Sequence, residues 1–130
     1  MQKKKKVIIP AFALIGTFLL FRFVLFIGYV PTESMEPTLK KGSIVVGSRL
    51  FGEPEVDNVI VFRHDGKLQV KRVAAMEGDL IYYKGKQIMV PTESLYLLGD
   101  NLCNSWDSRY WDDPFICNND IIALVLNSIP

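Results

Sequence analysis

The pattern of apolar and polar positions changes character once along this chain, near residue 30. Val7 to Phe21 is almost wholly apolar, and after the single Arg22 apolar character resumes over Phe23–Val30. Crossing a hydrocarbon core of roughly 30 Å takes about 20 such residues in a helix. Read only to Phe21 the run is short, with Arg22 able to snorkel to the far interface. We expect a helix from Val7 to about Phe21 or Arg22, and an extended segment beginning in Phe23–Val30. The competing reading is a cleaved signal peptide, with Lys3–Lys6 as its basic region and Pro10–Leu20 as its apolar region. No small-x-small cleavage site follows, because Phe21 to Val30 is bulky apart from Gly28. An uncleaved membrane anchor is therefore expected, and the lysine block places the N-terminus in the cytoplasm with the rest on the opposite side.

From Lys40 onward the pattern turns to short apolar runs punctuated by turn residues. Ile44–Val46, Val59–Phe62, Leu68–Ala74, Leu80–Tyr83, Gln87–Val90, Tyr96–Leu98 and Ile121–Leu126 read as strands. Asp65-Gly66 is a strong two-residue hairpin signal, and Lys84-Gly85 reverses the chain again. Strands at this spacing predict a mostly β protein, a small antiparallel barrel or sandwich behind one N-terminal transmembrane helix. The expected organisation is a basic cytoplasmic tail over 1–6, a transmembrane helix over 7–22 and an extracytoplasmic β-domain over 23–130. No repeat, low-complexity linker or second domain is visible.

Composition narrows the function classes. Among 130 residues the formal net charge is only +1, so no general polyanion-binding character follows, and no basic face or RNA-type aromatic motif argues for nucleic acid. Cys103, Cys117 and the lone His64 lack metal-type spacing, so no metal site is expected. A Cys103–Cys117 disulfide is open to a domain outside the cytoplasm. His64 reads as an exposed residue at the start of the Asp65-Gly66 hairpin, and Glu53, Glu55 and Asp57 as a solvated loop.

Pro31-Thr32-Glu33-Ser34-Met35-Glu36-Pro37-Thr38-Leu39 holds a serine between two prolines directly after the apolar segment. Each proline restricts its own φ and biases the residue before it toward extended geometry, which suggests a stiff, extended presentation of Ser34. A serine hydroxyl needs a proton acceptor before it becomes a nucleophile. Lys71 is the candidate, on a strand whose alternation puts Gln69, Lys71 and Val73 on one face. An exposed lysine, with a pKa of about 10.4, is protonated near neutrality; burial against apolar groups lowers that value.

Three motifs in order resemble the type I signal peptidases. They are Ser34-Met35-Glu36-Pro37-Thr38-Leu39, then Lys71-Arg72-Val73 through Gly78-Asp79, then Gly99-Asp100-Asn101 through Ser105-Trp106-Asp107-Ser108-Arg109. Asp57–Phe62 is similar to the family's Gly-Asp-Val-Val-Phe strand. The resemblance covers nearly the whole chain. It implies that Ser34 is the acyl-forming nucleophile and Lys71 the general base. It implies an oxyanion hole made by the Ser34 backbone N–H and the Thr32 hydroxyl. It further implies that Ser105 orients the lysine by a hydrogen bond, and that the pairs Asp100–Arg72 and Asp107–Arg109 hold the surrounding loops. Val30, Pro31, Met35, Leu39 and Val70 would line shallow pockets for small side chains of an extended peptide. No cofactor is implied.

Pro91-Thr92-Glu93-Ser94 repeats the tetrapeptide of Pro31–Ser34 but lacks the Met-x-Pro-Thr that follows Ser34, so Ser94 is expected to be a turn residue. The chain departs from the family pattern at Leu102, Glu77 and Asp112, and the short segment from Asp79 to Gly99 leaves no room for the accessory β-domain of larger members. The leading expectation is a membrane-anchored Ser/Lys endopeptidase of the bacterial cytoplasmic membrane that cuts signal peptides from preproteins after small residues. A specialised relative that matures pilin, conjugation or secretion substrates, and a catalytically silent peptide-binding module, are the alternatives.

Overall fold

The computed structural model describes residues 2–130. Met1, and with it the start of the basic tail expected over 1–6, lies outside the described residues. Helix α1 covers Gln2–Phe23, so it begins before the apolar run: lysine is a good helix former, and nothing in the lysine block breaks the backbone ladder. At 1.5 Å per residue its 22 residues reach about 33 Å. Within it, Lys6–Phe23 is long and apolar enough to cross a membrane, and none of that stretch is buried against the rest of the protein.

A single residue separates α1 from the first of nine strands among the described residues: β1 (Leu25–Tyr29), β2 (Ile44–Ser48), β3 (Val59–His64), β4 (Lys67–Met76), β5 (Leu80–Tyr83), β6 (Lys86–Met89), β7 (Ser94–Leu98), β8 (Phe115–Cys117) and β9 (Ile121–Ile129). Seven of them form one sheet in the order β1-β2-β9-β3-β4-β7-β8, while β5 and β6 pair as a separate hairpin. Every pairing is antiparallel. The fold is mostly β as expected, and of the two forms considered it is sandwich-like: β1 and β8 end the sheet without pairing to each other, so no barrel closes.

The central strand explains the layering. Ile60 and Phe62 of β3 pack with Val73, Leu95, Leu97 and Trp111. Val61 lies between them and packs with Phe26, Met35, Leu39 and Val45. Successive side chains of a strand point to opposite faces, so the run Val59–Phe62 is continuously apolar because both faces of β3 are covered. The two hairpin turns use left-handed backbone, with φ of 48° and 74° at Asp65-Gly66 and 47° and 80° at Lys84-Gly85. These are the paired positive values of a type I′ turn, whose twist matches that of the flanking strands.

Several details differ from the sequence reading. Strand β8 matches none of the runs that read as strands. Ser94 opens β7, opposite Cys117, and is not a turn residue; the turn falls at Thr92-Glu93, where Glu93 has φ 54°. His64 is the half-buried last residue of β3 and is not an exposed loop residue, because its ring stacks on Trp111 at 4.1 Å between centroids. Cys103 and Cys117 are both free and exposed, so the possible disulfide is absent.

Candidate active site

Ser34 begins a turn that runs to Thr38, closed by Glu36 N–H donating to the Glu33 carbonyl and Leu39 N–H to that of Met35. The extended presentation suggested by the two prolines is therefore replaced by a tight turn. Met35 and Leu39 explain why: both are almost fully buried in the cluster with Phe26 and Val45, and pulling them inward curls the segment around Ser34.

Lys71 reaches this turn from β4, where it pairs across the ladder with Ile60. Its Nζ donates to Ser34 Oγ at 2.7 Å. Both side chains are buried, Ser34 at 8% exposure and Lys71 at 5%. Burial pushes the Lys71 ammonium below the usual lysine range, against an opposing pull from the Asp107 carboxylate. Thr32 Oγ1 stands 3.3 Å from Ser34 Oγ, so two hydroxyls and one amine meet at a single point. A lysine with a depressed pKa beside a serine hydroxyl can accept that hydroxyl's proton.

The loop after β7 holds this point from the other side. Asn101 N–H donates to the Ser34 carbonyl at 2.9 Å, and Asn101 Nδ2 donates to that of Glu33 at 3.1 Å. Gly99 lies directly beneath: a Cβ there would stand 2.6 Å from the Ser34 carbonyl oxygen and would collide with Ser105. Only a residue without a side chain lets the two loops come this close.

Two carboxylates brace the loop. Arg72 donates to Asp100 through Nε at 2.8 Å and Nη2 at 2.6 Å, a bidentate pair of the strong kind. Those hydrogen bonds hold the Asp100 carboxyl below the usual carboxylate range. Arg72 Nη1 also donates to the Asp57 carbonyl at 2.8 Å. Asp107 is fully buried and accepts from Arg109 Nε at 2.8 Å and from the Gly99 N–H at 2.9 Å. Burial alone would raise its carboxyl, but Arg109 and the Gly99 amide outweigh it and hold it below the usual range.

Ser105 departs from the expectation. Its hydroxyl is buried beside the site yet makes no hydrogen bond, because the side chain lies against the Gly99 backbone while the Lys71 amine is directed at Ser34. Ser108 was not singled out from the sequence. It is fully buried, its Oγ accepts from Leu97 N–H at 2.9 Å, and its own N–H donates to the Leu97 carbonyl. That pair ties the loop to β7.

Ser34 and Lys71 open onto a groove of about 790 Å³ walled by Phe26, Tyr29, Val30, Pro31, Met35 and Val70, with Trp106 and Tyr110 at its rim. Leu39, expected to line a pocket, is packed in the core and does not reach the groove. Two unpaired strand edges flank the space. Among the described residues, strand β1 pairs only with β2, and β4 pairs with β7 only from Arg72 onward, leaving Lys67–Lys71 free on that side. Among the described residues no group of three His, Cys, Asp or Glu side chains stands close enough to hold a metal ion.

The chain is 30% identical to the probable signal peptidase I-1 of Synechocystis sp. over 88% of its length and 76% of that protein's. It is 28% identical to the signal peptidase I of Bacillus caldolyticus, covering 89% of this chain and 86% of the relative. Identity rises to 40% against subunit 1 of the mouse mitochondrial inner membrane protease, over 60% of this chain and 54% of the relative. The family described as signal peptidase, peptidase S26, matches residues 2–93 and 86–128, and the chain belongs to that family.

Proposed function

We propose that the protein is a membrane-anchored serine endopeptidase that removes N-terminal signal peptides from preproteins, with Ser34 as nucleophile and Lys71 as general base. The observation that carries this reading is the buried 2.7 Å contact between Lys71 Nζ and Ser34 Oγ. In the neutral form of Lys71 the contact reverses, and the hydroxyl donates to the amine. Ser34 Oγ then attacks the scissile carbonyl while Lys71 takes the proton. The Ser34 N–H and the Thr32 hydroxyl stabilise the oxyanion, donors whose value lies in charge that appears only in the tetrahedral state. Collapse passes the proton from Lys71 to the leaving amine, and water activated by the same lysine releases the acyl group.

The substrate is an extended peptide lying between the free edges of β1 and β4, where backbone hydrogen bonds give affinity and alternate side chains give specificity. Val30, Met35 and Val70 leave shallow space suited to small residues before the cut. Helix α1 holds the catalytic domain at the membrane, with the N-terminus cytoplasmic and the catalytic residues on the opposite face of a bacterial cytoplasmic membrane. A serine-directed acylating inhibitor tests the reading. It is expected to add its mass to the peptide carrying Ser34 and to block preprotein cleavage, with neither effect in Ser34→Ala. Labelling elsewhere, or cleavage that survives labelling, sinks it.

A further inference from the structure

We propose that Arg49 is a positioning residue that joins the membrane helix rigidly to the β-domain, so that the helix sets where the groove stands relative to the bilayer. The proposal rests on the peptidase reading above. Only Val24 lies between the end of α1 and the start of β1. A junction of one residue would swivel freely about that residue's φ and ψ if nothing else held it.

Arg49 holds it from three directions. Its backbone N–H donates to the Val24 carbonyl at 2.8 Å. Its Nε–H lies between two further carbonyls, Phe21 at 3.3 Å and Leu25 at 3.1 Å. Its guanidinium carbon stands 5.3 Å from the centroid of the Phe26 ring. One residue therefore bridges the last turn of the helix, the linker and the first strand. The last carbonyls of a helix lack intrahelical partners and carry the negative end of its dipole, so a cationic donor suits that position on both counts. Arg49 follows β2 directly, and the neighbouring Ser48 pairs with Leu25, so the sheet supports the bridge from below.

The consequence concerns substrates held in a membrane. A signal peptide in the bilayer presents its scissile bond at a restricted height, and Ser34 must stand at that height for attack. A rigid junction fixes Ser34 there, whereas a swivelling one brings the two together less often. A short soluble peptide diffuses into the groove whatever the helix does.

The test uses the full chain in two assays. One measures cleavage of a preprotein embedded in lipid vesicles with the enzyme, and the other measures cleavage of a short peptide spanning a cleavage site, in detergent. Arg49→Ala is expected to lose roughly tenfold or more in kcat/KM on the embedded preprotein while staying within about twofold on the peptide, since small misplacement is costly only where geometry is imposed. Arg49→Lys keeps a cation at the helix end and is expected to recover part of the loss; recovery of none counts against the proposal. A second variant, two glycines inserted after Val24, leaves Arg49 in place, loosens the same junction and should give the same split. Parallel losses in both assays for the inserted chain, or no loss in either, overturn the clamp. Failure of the unmodified chain to cut the soluble peptide instead overturns the peptidase reading.

Discussion

The tetrapeptide Pro-Thr-Glu-Ser occurs twice, and its two copies lead different lives. In Pro31–Ser34 the serine hydroxyl meets Lys71 at 2.7 Å and Thr32 at 3.3 Å, and its carbonyl accepts from Asn101. In Pro91–Ser94 the serine hydroxyl donates to the Thr92 carbonyl at 3.2 Å, and Ser94 continues into β7. The first copy is followed by Met35 and Leu39, which bury themselves and curl the chain. The second is followed by alternating strand residues, which extend it. Four identical residues thus acquire a possible chemistry or none according to what lies within reach. The difference between them is long-range: β4 and the loop after β7 converge on one copy only.

The largest expected effect breaks the comparison at its chemical end. Ser34→Ala and Lys71→Ala should each lower preprotein cleavage by about 10⁴-fold or more, while Ser94→Ala stays near the unmodified rate. Substantial activity in Lys71→Ala, or a loss in Ser94→Ala matching that of Ser34→Ala, would end the assignment. Next comes Gly99→Ala, which places a methyl group against the Ser34 carbonyl. We expect a loss of about 100-fold in kcat through displacement of the nucleophile. Thermal unfolding should show the overpacking penalty of about 1–3 kcal/mol. Unchanged kcat would mean that the close approach of the two loops is not needed for attack.

The smallest effect lies in the pH profile. Burial lowers the pKa of Lys71, so the reactive neutral amine becomes more abundant as pH rises, with a midpoint below the usual lysine value of about 10.4. Asp107 opposes that shift, so the residual activity of Asp107→Asn should rise at lower pH than that of the unmodified chain. Rates that fall steadily between about pH 6 and about pH 9, in a chain that stays folded, would contradict proton transfer to Lys71. The bracing carboxylates give a separate expectation, of stability rather than rate, that runs in the same direction at much lower pH. Asp100 and Asp107 are held below the usual carboxylate range. Their stabilising contribution is therefore complete above the ordinary value of about 3.9 and is lost as pH falls through their folded-state values.

Much of the fold was legible because its signals are local. Alternation and short apolar runs marked most of the strands, Leu80–Tyr83 to the residue, and Asp65-Gly66 and Lys84-Gly85 named their own turns. Strand β8 escaped because it has three residues and follows Asp112-Asp113-Pro114, which reads as loop; it exists because β7 offers an edge to pair with. His64 escaped for a similar reason, since Trp111 lies far along the chain and no local pattern announces their stacking. The residues around Ser34 could be nominated from three motifs in order, but Gly99 and Asn101 could not be given their contacts, and the Ser105 hydroxyl does not make the one it was expected to make.

The sequence by itself determined the apolar helix, the antiparallel β character and the residue types from which a serine-based site can be made, because periodicity, turn chemistry and side-chain reactivity are properties of a few consecutive residues. Tertiary structure alone decided how closely Lys71 approaches Ser34, how deeply that lysine is buried and which loop passes close enough to require a glycine. Desolvation and contact depend on what distant segments bring to one place, and no window of neighbouring residues contains that information.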